Sequence, residues 1–267
     1  MIEGTMQVKP ALSPMTTLRV LTVNIHKGYT AFNGRFMLHR LRDAVRADGS
    51  DLVFLQEVSG PTARGRDRGL ARSPGGDHEF LADQIWRDHA YGRNAVDDGG
   101  DHGNALLSRY PITSWHNHDV SLPGDEPRGL LHCIVQPDAP AAALHVVCLH
   151  LGLRESHRSH QLIHLGRLLR EDVPPDAPLV VAGDFNDWRS RADGLLHGTG
   201  LVEVFRQHDG LHARSFPSRW PLLRLDRIYV RQIAAARPLR LPRRPWSTLS
   251  DHAPLAAEIH FAQRASA

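Results

Sequence analysis

An α/β fold of two β-sheets packed face to face, with helices outside, is predicted by three features of the sequence. Many short apolar runs are separated by Pro and Gly turns, and only a few amphipathic segments lie between them. Several of these runs are continuously apolar and then end in a polar residue, the pattern of a buried strand that delivers a side chain at its end. A chain of 267 residues is long enough for a large core, and layered folds of this size form single domains. One domain over 18–263 is therefore expected, after a flexible N-terminal tail over 1–17. No fixed-period repeat, low-complexity tract or linker divides the chain.

The expected elements run as follows. Residues 18–24 form a strand ending at Asn24, and 36–47 a helix with Met37, Leu41, Ala44 and Val45 at helical spacing. Residues 51–58 form a second buried strand reaching Glu57. The segment 60–76, rich in Gly, Arg and Pro, reads as a surface loop, and a helix is expected over 79–86. Strands over 104–108, 112–120, 129–136 and 143–150 come next, then a helix over 154–170 with Leu162, Leu165, Leu168 and Leu169 on one side. Residues 178–183 make another buried strand, running into Asp184. Strands over 225–230, 235–241 and 254–260 close the chain, and the Pro- and Arg-rich stretch 237–246 reads as an edge strand and loop.

Composition narrows function little. Hydrophobic content of 41% and charged content of 23% are ordinary for a soluble protein, and 6% aromatics give no sign of an aromatic-rich binding surface. The 32 Lys+Arg against 29 Asp+Glu suit anionic substrates without establishing nucleic-acid binding, which depends on clustering. Cys133 and Cys148 lie in apolar strand-like runs and read as free, small hydrophobes, because two cysteines are no disulfide framework. The first seventeen residues lack the apolar core of a signal peptide, and no window approaches the ~18 apolar residues of a membrane span. A cytoplasmic monomer is expected.

Chemistry concentrates at strand ends. In Gly183-Asp184-Phe185-Asn186 a Gly permits a tight turn, and a carboxylate and an amide two residues apart point the same way. Such a pair suits a hard cation and an oriented water, while a plain Asx turn is the alternative. Ser250-Asp251-His252 sets a carboxylate beside an imidazole, the groups needed to activate water, although Ser-Asp also serves as a cap. Glu57 at a buried strand end needs pairing or a metal; Asn24 alone is equally a turn residue. His150 by itself reads as structural, and Asp226 as a partner of Arg224 or Arg227.

Jointly and in order, these segments resemble the endonuclease/exonuclease/phosphatase superfamily, the metal-dependent phosphoesterases related to DNase I. The matching runs are Leu21-Thr22-Val23-Asn24, Leu55-Gln56-Glu57, the stretch 104–111, Leu149-His150, Gly183-Asp184-Phe185-Asn186, Leu225-Asp226-Arg227-Ile228 and Ser250-Asp251-His252. They look most like small uncharacterised bacterial members, with some likeness to the sphingomyelinase and exonuclease branches. The resemblance implies a four-layer α/β sandwich, two mainly antiparallel sheets flanked by helices, with the site at one end of the sheets. It implies that Glu57 is the principal ligand of a Mg²⁺ (Mn²⁺ is the alternative), with Asn24 nearby and Asp251 in the same metal region. Asp184 and Asn186 then orient the attacking water and the phosphate, and His150 contacts phosphoryl oxygens. His252, held by Asp226, acts as a base or phosphate-stabilising partner, and Arg128 matches a position that aims at the phosphate. His26 and Lys27, beside Asn24, bear on substrate choice or are simply exposed.

The family acts on DNA, RNA ends, inositol phosphates and lipid headgroups, so the resemblance leaves the ester open. A phosphodiesterase of nucleic acid or a phospholipid headgroup is expected, with an inositol-phosphate or small-molecule phosphatase as the alternative. A non-catalytic binding module on the same fold is the remaining class, and it would be signalled by loss of Glu57, Asp184, Asn186, Asp251 or His252, all of which are present. The Arg64–Arg68 run is the one clear basic cluster for a nuclease, and it equally suits a solvated loop.

Overall fold

The computed structural model describes residues 15–30, 34–61, 75–97, 100–138 and 142–262. Its first half comprises β1 (Met15–Asn24), α1 (Leu38–Asp48), β2 (Leu52–Ser59), α2 (Asp77–Ala82), β3 (Asp88–Asp97), β4 (Gly100–Ser108), β5 (Ile112–Asp119) and β6 (Gly129–Val135). The second half comprises β7 (Leu144–His150), α3 (Glu155–Glu171), β8 (Leu179–Asp184), α4 (Ala192–Leu195), β9 (Val202–Glu203), α5 (Val204–Asp209), β10 (Asp226–Arg231), β11 (Ala235–Leu239) and β12 (Leu255–Ala262).

The strands form two six-stranded sheets, ordered β11-β12-β1-β2-β4-β3 and β5-β6-β7-β8-β10-β9. Each is antiparallel except for one central parallel pair, β1 with β2 and β7 with β8. A parallel pair needs a crossover, and α1 and α3 supply the two. Alternation then sorts the side chains into layers. Leu18, Val20, Phe54, Leu131, Cys133, Val146 and Val180 fill the space between the sheets. Leu21, Val23, Val53 and Leu55 face α1 and α2, while Val147, Leu149 and Val181 face α3. The expected four-layer sandwich is what the chain forms.

Differences lie where the sequence lacks an apolar signal. Edge strand β3 was not expected, because Asp88, Gly92, Arg93 and Asn94 break any alternation and only its pairing with β4 makes it a strand. The helix expected over 79–86 runs instead over Asp77–Ala82, and Trp86 lies beyond it with its indole N–H donating to Ser50 O at 3.0 Å. Strand β1 begins at Met15, paired with Ala262, so the expected tail is outside the described residues over 1–14. The Arg64–Arg68 run also lies outside them. Both cysteines are free and buried. Among the described residues no helix is long and apolar enough to cross a membrane.

Candidate active site

Strand register assembles the site at one edge of the two sheets. Asp184 ends β8 and sits directly between His150 of β7 and Asp226 of β10 in the pairing register. Gly183 makes this possible: it has φ +151, and a Cβ on it would lie 2.0 Å from Leu149 O. In the other sheet, Asn24 ends β1 beside Gln56, and a register shift between Leu55 and Val58 turns Glu57 to φ +53. That bulge re-aims the carboxylate out of the sheet plane. Asp251 and His252 lie just ahead of β12, where the Ser250 hydroxyl donates to Asn24 O at 2.6 Å.

Asn24 joins the two sheets. Its Nδ2 donates to Glu57 Oε1 at 2.9 Å and to Asp184 Oδ2 at 3.2 Å, and its Oδ1 accepts from the His26 N–H at 3.0 Å. His26 Nδ1 in turn lies 3.6 Å from Glu57 Oε2 and 3.4 Å from Asp251 Oδ2. Two carboxylates of the first sheet thus converge on one point. Around Asp184 the second sheet is richer in imidazole: His150 Nε2 lies 3.4 Å and His252 Nε2 3.7 Å from Asp184 Oδ2. The Asn186 N–H donates to Asp184 Oδ1 at 2.9 Å, and its Nδ2 to Leu151 O at 2.9 Å, which holds Asn186 at φ +50.

The two imidazoles differ in charge. Burial, then the Arg128 guanidinium, keeps His150 well below the ordinary histidine value. Arg128 Nη1 donates to His150 Nδ1 at 3.2 Å, so a neutral ring carries its proton on Nε2, facing Asp184. For His252, burial disfavours the charged ring, but Asp226 and Asp184 outweigh it and push the value to about 10. His252 Nδ1 donates to Asp226 Oδ2 at 2.8 Å, and Asp226 Oδ1 is buried without a partner. Burial raises Asp184 to about 6, with His252 opposing that rise.

All nine expected site residues therefore fall in one connected network. Three of its contributors were not foreseen as such. Glu126 grips Arg128 Nη2 at 2.7 Å and His102 Nε2 at 2.6 Å, and the Phe216 ring lies 5.0 Å from His252. His26, left open between substrate choice and exposure, bridges Glu57 and Asp251. Adjacency to Asn24 was the only signal for His26; nothing in the sequence marked Phe216. Asp184, Asp226 and His252 also bring three ligand-type atoms within 4.8 Å of one another, a geometry that could hold a metal ion only with the His252 ring neutral.

A carboxylate- and imidazole-lined site across the edge of two helix-flanked sheets defines a DNase I-like fold with a metal-competent centre. The chain belongs to the Endonuclease/Exonuclease/phosphatase family, whose profile matches residues 21–252. It is 52% identical over 254 residues to YbhP, an uncharacterized protein of Escherichia coli (strain K12), a match spanning 94% of this chain and 100% of YbhP. Among solved structures it is similar to an endonuclease/exonuclease/phosphatase from Beutenbergia cavernae DSM 12333, with TM-score 0.70, 20% identity, and 92% of this chain and 72% of that one covered. It is also similar in fold to D. rerio TDP2 complexed with single strand DNA product, with TM-score 0.66, 18% identity and coverage of 92% and 98%.

Proposed function

We propose that the chain is a divalent-metal-dependent phosphodiesterase acting on nucleic acid or a phospholipid headgroup, cleaving the ester by attack of water on phosphorus. The observation that carries this reading is Asp184, fixed by Asn24, Asn186, His150 and His252, next to the Glu57–Asp251 pair. The donor set fits a cation. Two carboxylates facing the same point repel unless positive charge stands between them, and all-oxygen carboxylate ligation suits Mg²⁺ or Mn²⁺. Glu57 and Asp251 would hold it, with Asn24 beside them. When bound, the ion supplies Lewis-acid stabilisation of phosphoryl charge.

The protein's own groups supply the rest. Asp184 and Asn186 orient the water, with Asp184 kept in place by the Asn186 N–H. His252 presents a charged Nε2–H toward the phosphoryl oxygens, kept charged by Asp226. His150 offers a neutral Nε2–H, and Arg128 adds a fixed guanidinium to the same wall. The catalytic unit in this reading is one domain, expected over 18–263 and beginning with β1 at Met15, and the structural neighbour complexed with single strand DNA product makes nucleic acid the first substrate to test.

The test is hydrolysis of bis-p-nitrophenyl phosphate, plasmid DNA and lysophospholipids by the full chain with Mg²⁺ or Mn²⁺. Glu57→Gln and His252→Ala should each lower kcat by about a hundredfold or more, the scale of losing a transition-state charge partner or proton-transfer group. Activity that survives both substitutions refutes the site. No product from any substrate, with bound metal confirmed, refutes the enzyme.

A further inference from the structure

Beyond the catalytic network, three arginines from two stretches of chain gather around one cavity. Arg35, Arg40 and Arg244 line a space of about 640 Å³, together with Thr30 and Thr248 among others, and no carboxylate among the described residues lines it. We infer that this cavity is an anion subsite that takes a second phosphate of the substrate, remote from the ester that is cleaved; its role toward substrate rests on the phosphodiesterase reading above.

Charge is the first argument. Many surface arginines find carboxylates: on α1 itself Arg42 reaches Asp43 at 3.1 Å and Arg46 reaches Asp83 at 3.0 Å, and Arg240 reaches Asp209 at 2.6 Å. Arg40 on the same helix, Arg35 and Arg244 have no ion-pair partner among the described residues. The formal excess of the whole chain is only +3, so three uncompensated guanidiniums at one cavity are a local concentration rather than a reflection of overall charge. Guanidinium stays protonated at any working pH, so the positive charge gathered at the cavity is constant and favours an anion. Its planar fork matches the oxygens of a phosphate.

Construction is the second argument. One wall is tied by a bridge between Tyr29 and Phe36, with the Thr30 N–H donating to Arg35 O at 3.0 Å and the Arg35 N–H to Thr30 Oγ1 at 3.2 Å. The other wall is the short 3-10 helix Trp246–Thr248, anchored by buried Trp246 and by the Thr248 hydroxyl donating to Pro245 O at 2.8 Å. The backbone that carries Arg35 and Arg244 is therefore held before any ligand arrives.

Position is the third. In the first wall Arg35 follows His26 by nine residues, and in the second Arg244 precedes Asp251 by seven. Both walls thus extend from segments that carry the metal-region carboxylates and their neighbours. In the proposed complex a substrate places one phosphate at Asp184 and another within the arginine cavity. An oligonucleotide and a multiply phosphorylated headgroup share that chemistry.

The experiment uses the full-length R35A/R40A/R244A variant beside wild type. With metal removed by EDTA, calorimetric titration with inorganic pyrophosphate should show binding to wild type that weakens about tenfold or more in the variant, the scale of losing one or more charge-assisted contacts. With metal restored, kcat/KM for bis-p-nitrophenyl phosphate, which has a single phosphate, should stay within about twofold, since screened surface charges beyond the contact act weakly. KM should rise about tenfold for a 5′-phosphorylated dinucleotide or for a soluble inositol bisphosphate headgroup, with kcat held. Whichever of the two shows the larger rise identifies the source of the second phosphate. Equal pyrophosphate binding by both proteins, no binding by wild type, or an equal KM rise for bis-p-nitrophenyl phosphate overturns the subsite. Pyrophosphate binding lost in the variant, while wild type hydrolyses no ester, upholds the anion site and overturns the phosphodiesterase reading instead.

Discussion

At the residue scale, Glu126 is the group whose removal separates positioning from chemistry. The His102 imidazole, then Arg128 against the opposing effect of burial, holds Glu126 down to about 2, so it is ionised across any practical assay range. Glu126→Gln should loosen Arg128 and raise KM by about three- to tenfold with a smaller change in kcat, the size of one weakened charge-assisted bond. Initial-rate measurements on bis-p-nitrophenyl phosphate decide it, and an unchanged KM removes Glu126 from the site. Asp184 and Asn186 were legible beforehand because an apolar run stopping at Gly183 announces a strand end whose polar side chains must go somewhere. Glu126, His26 and Phe216 were not, since their roles come from partners distant in sequence. No spacing rule reaches from His102 to Glu126, or from Phe216 to His252.

At the element scale, the site depends on β7, β8 and β10 ending in step. Gly183→Ala would push a Cβ into Leu149 O, a backbone atom that cannot swing aside, at a φ that L residues rarely adopt. It should cost about 2–3 kcal/mol by overpacking and displace Asp184 from His150. Urea unfolding and kcat measured together test this: a stable, fully active variant would mean that the strand pair tolerates separation. Elements whose apolar faces are continuous were legible, including β1, β2, β8 and α3. Strand β3 was hidden because an edge strand can be polar on both faces and still pair, and the short α4, α5 and β9 are too brief to carry a period.

At the scale of the whole molecule, two couplings can be measured. His212 lies between Glu203 and Asp193, at 3.0 Å and 2.8 Å, and Tyr229 donates to the same Asp193 at 2.6 Å. Burial opposes the charged ring, but the two carboxylates raise His212 above its ordinary value; Asp193 is lowered, as its bonds to His212 and Tyr229 outweigh burial. The raised histidine stabilises the fold below about pH 6.5 and loses that effect as pH climbs through its folded value, while the lowered Asp193 stabilises above about pH 4. His212→Ala should therefore cost most, about 3–5 kcal/mol, between those limits and less in alkali. A cost that is flat with pH refutes the linkage. The proposed ion at Glu57 and Asp251 would couple to folding as well: a divalent cation at a hundred times its Kd adds about 2.7 kcal/mol, so on that proposal EDTA should lower the wild-type Tm and leave Asp251→Asn nearly unchanged. The polar thread between the sheets leads further. Gln56 Nε2 donates to Thr22 Oγ1 at 3.2 Å and to Cys148 Sγ at 3.4 Å, and burial pushes the Cys148 thiol up to about 12 and raises Cys133 too. Neither sulfur can be alkylated while the layers stay together, because the reactive form is the thiolate. The two cysteines are thus a built-in clock, and the rate at which iodoacetamide marks them times how often the sandwich opens.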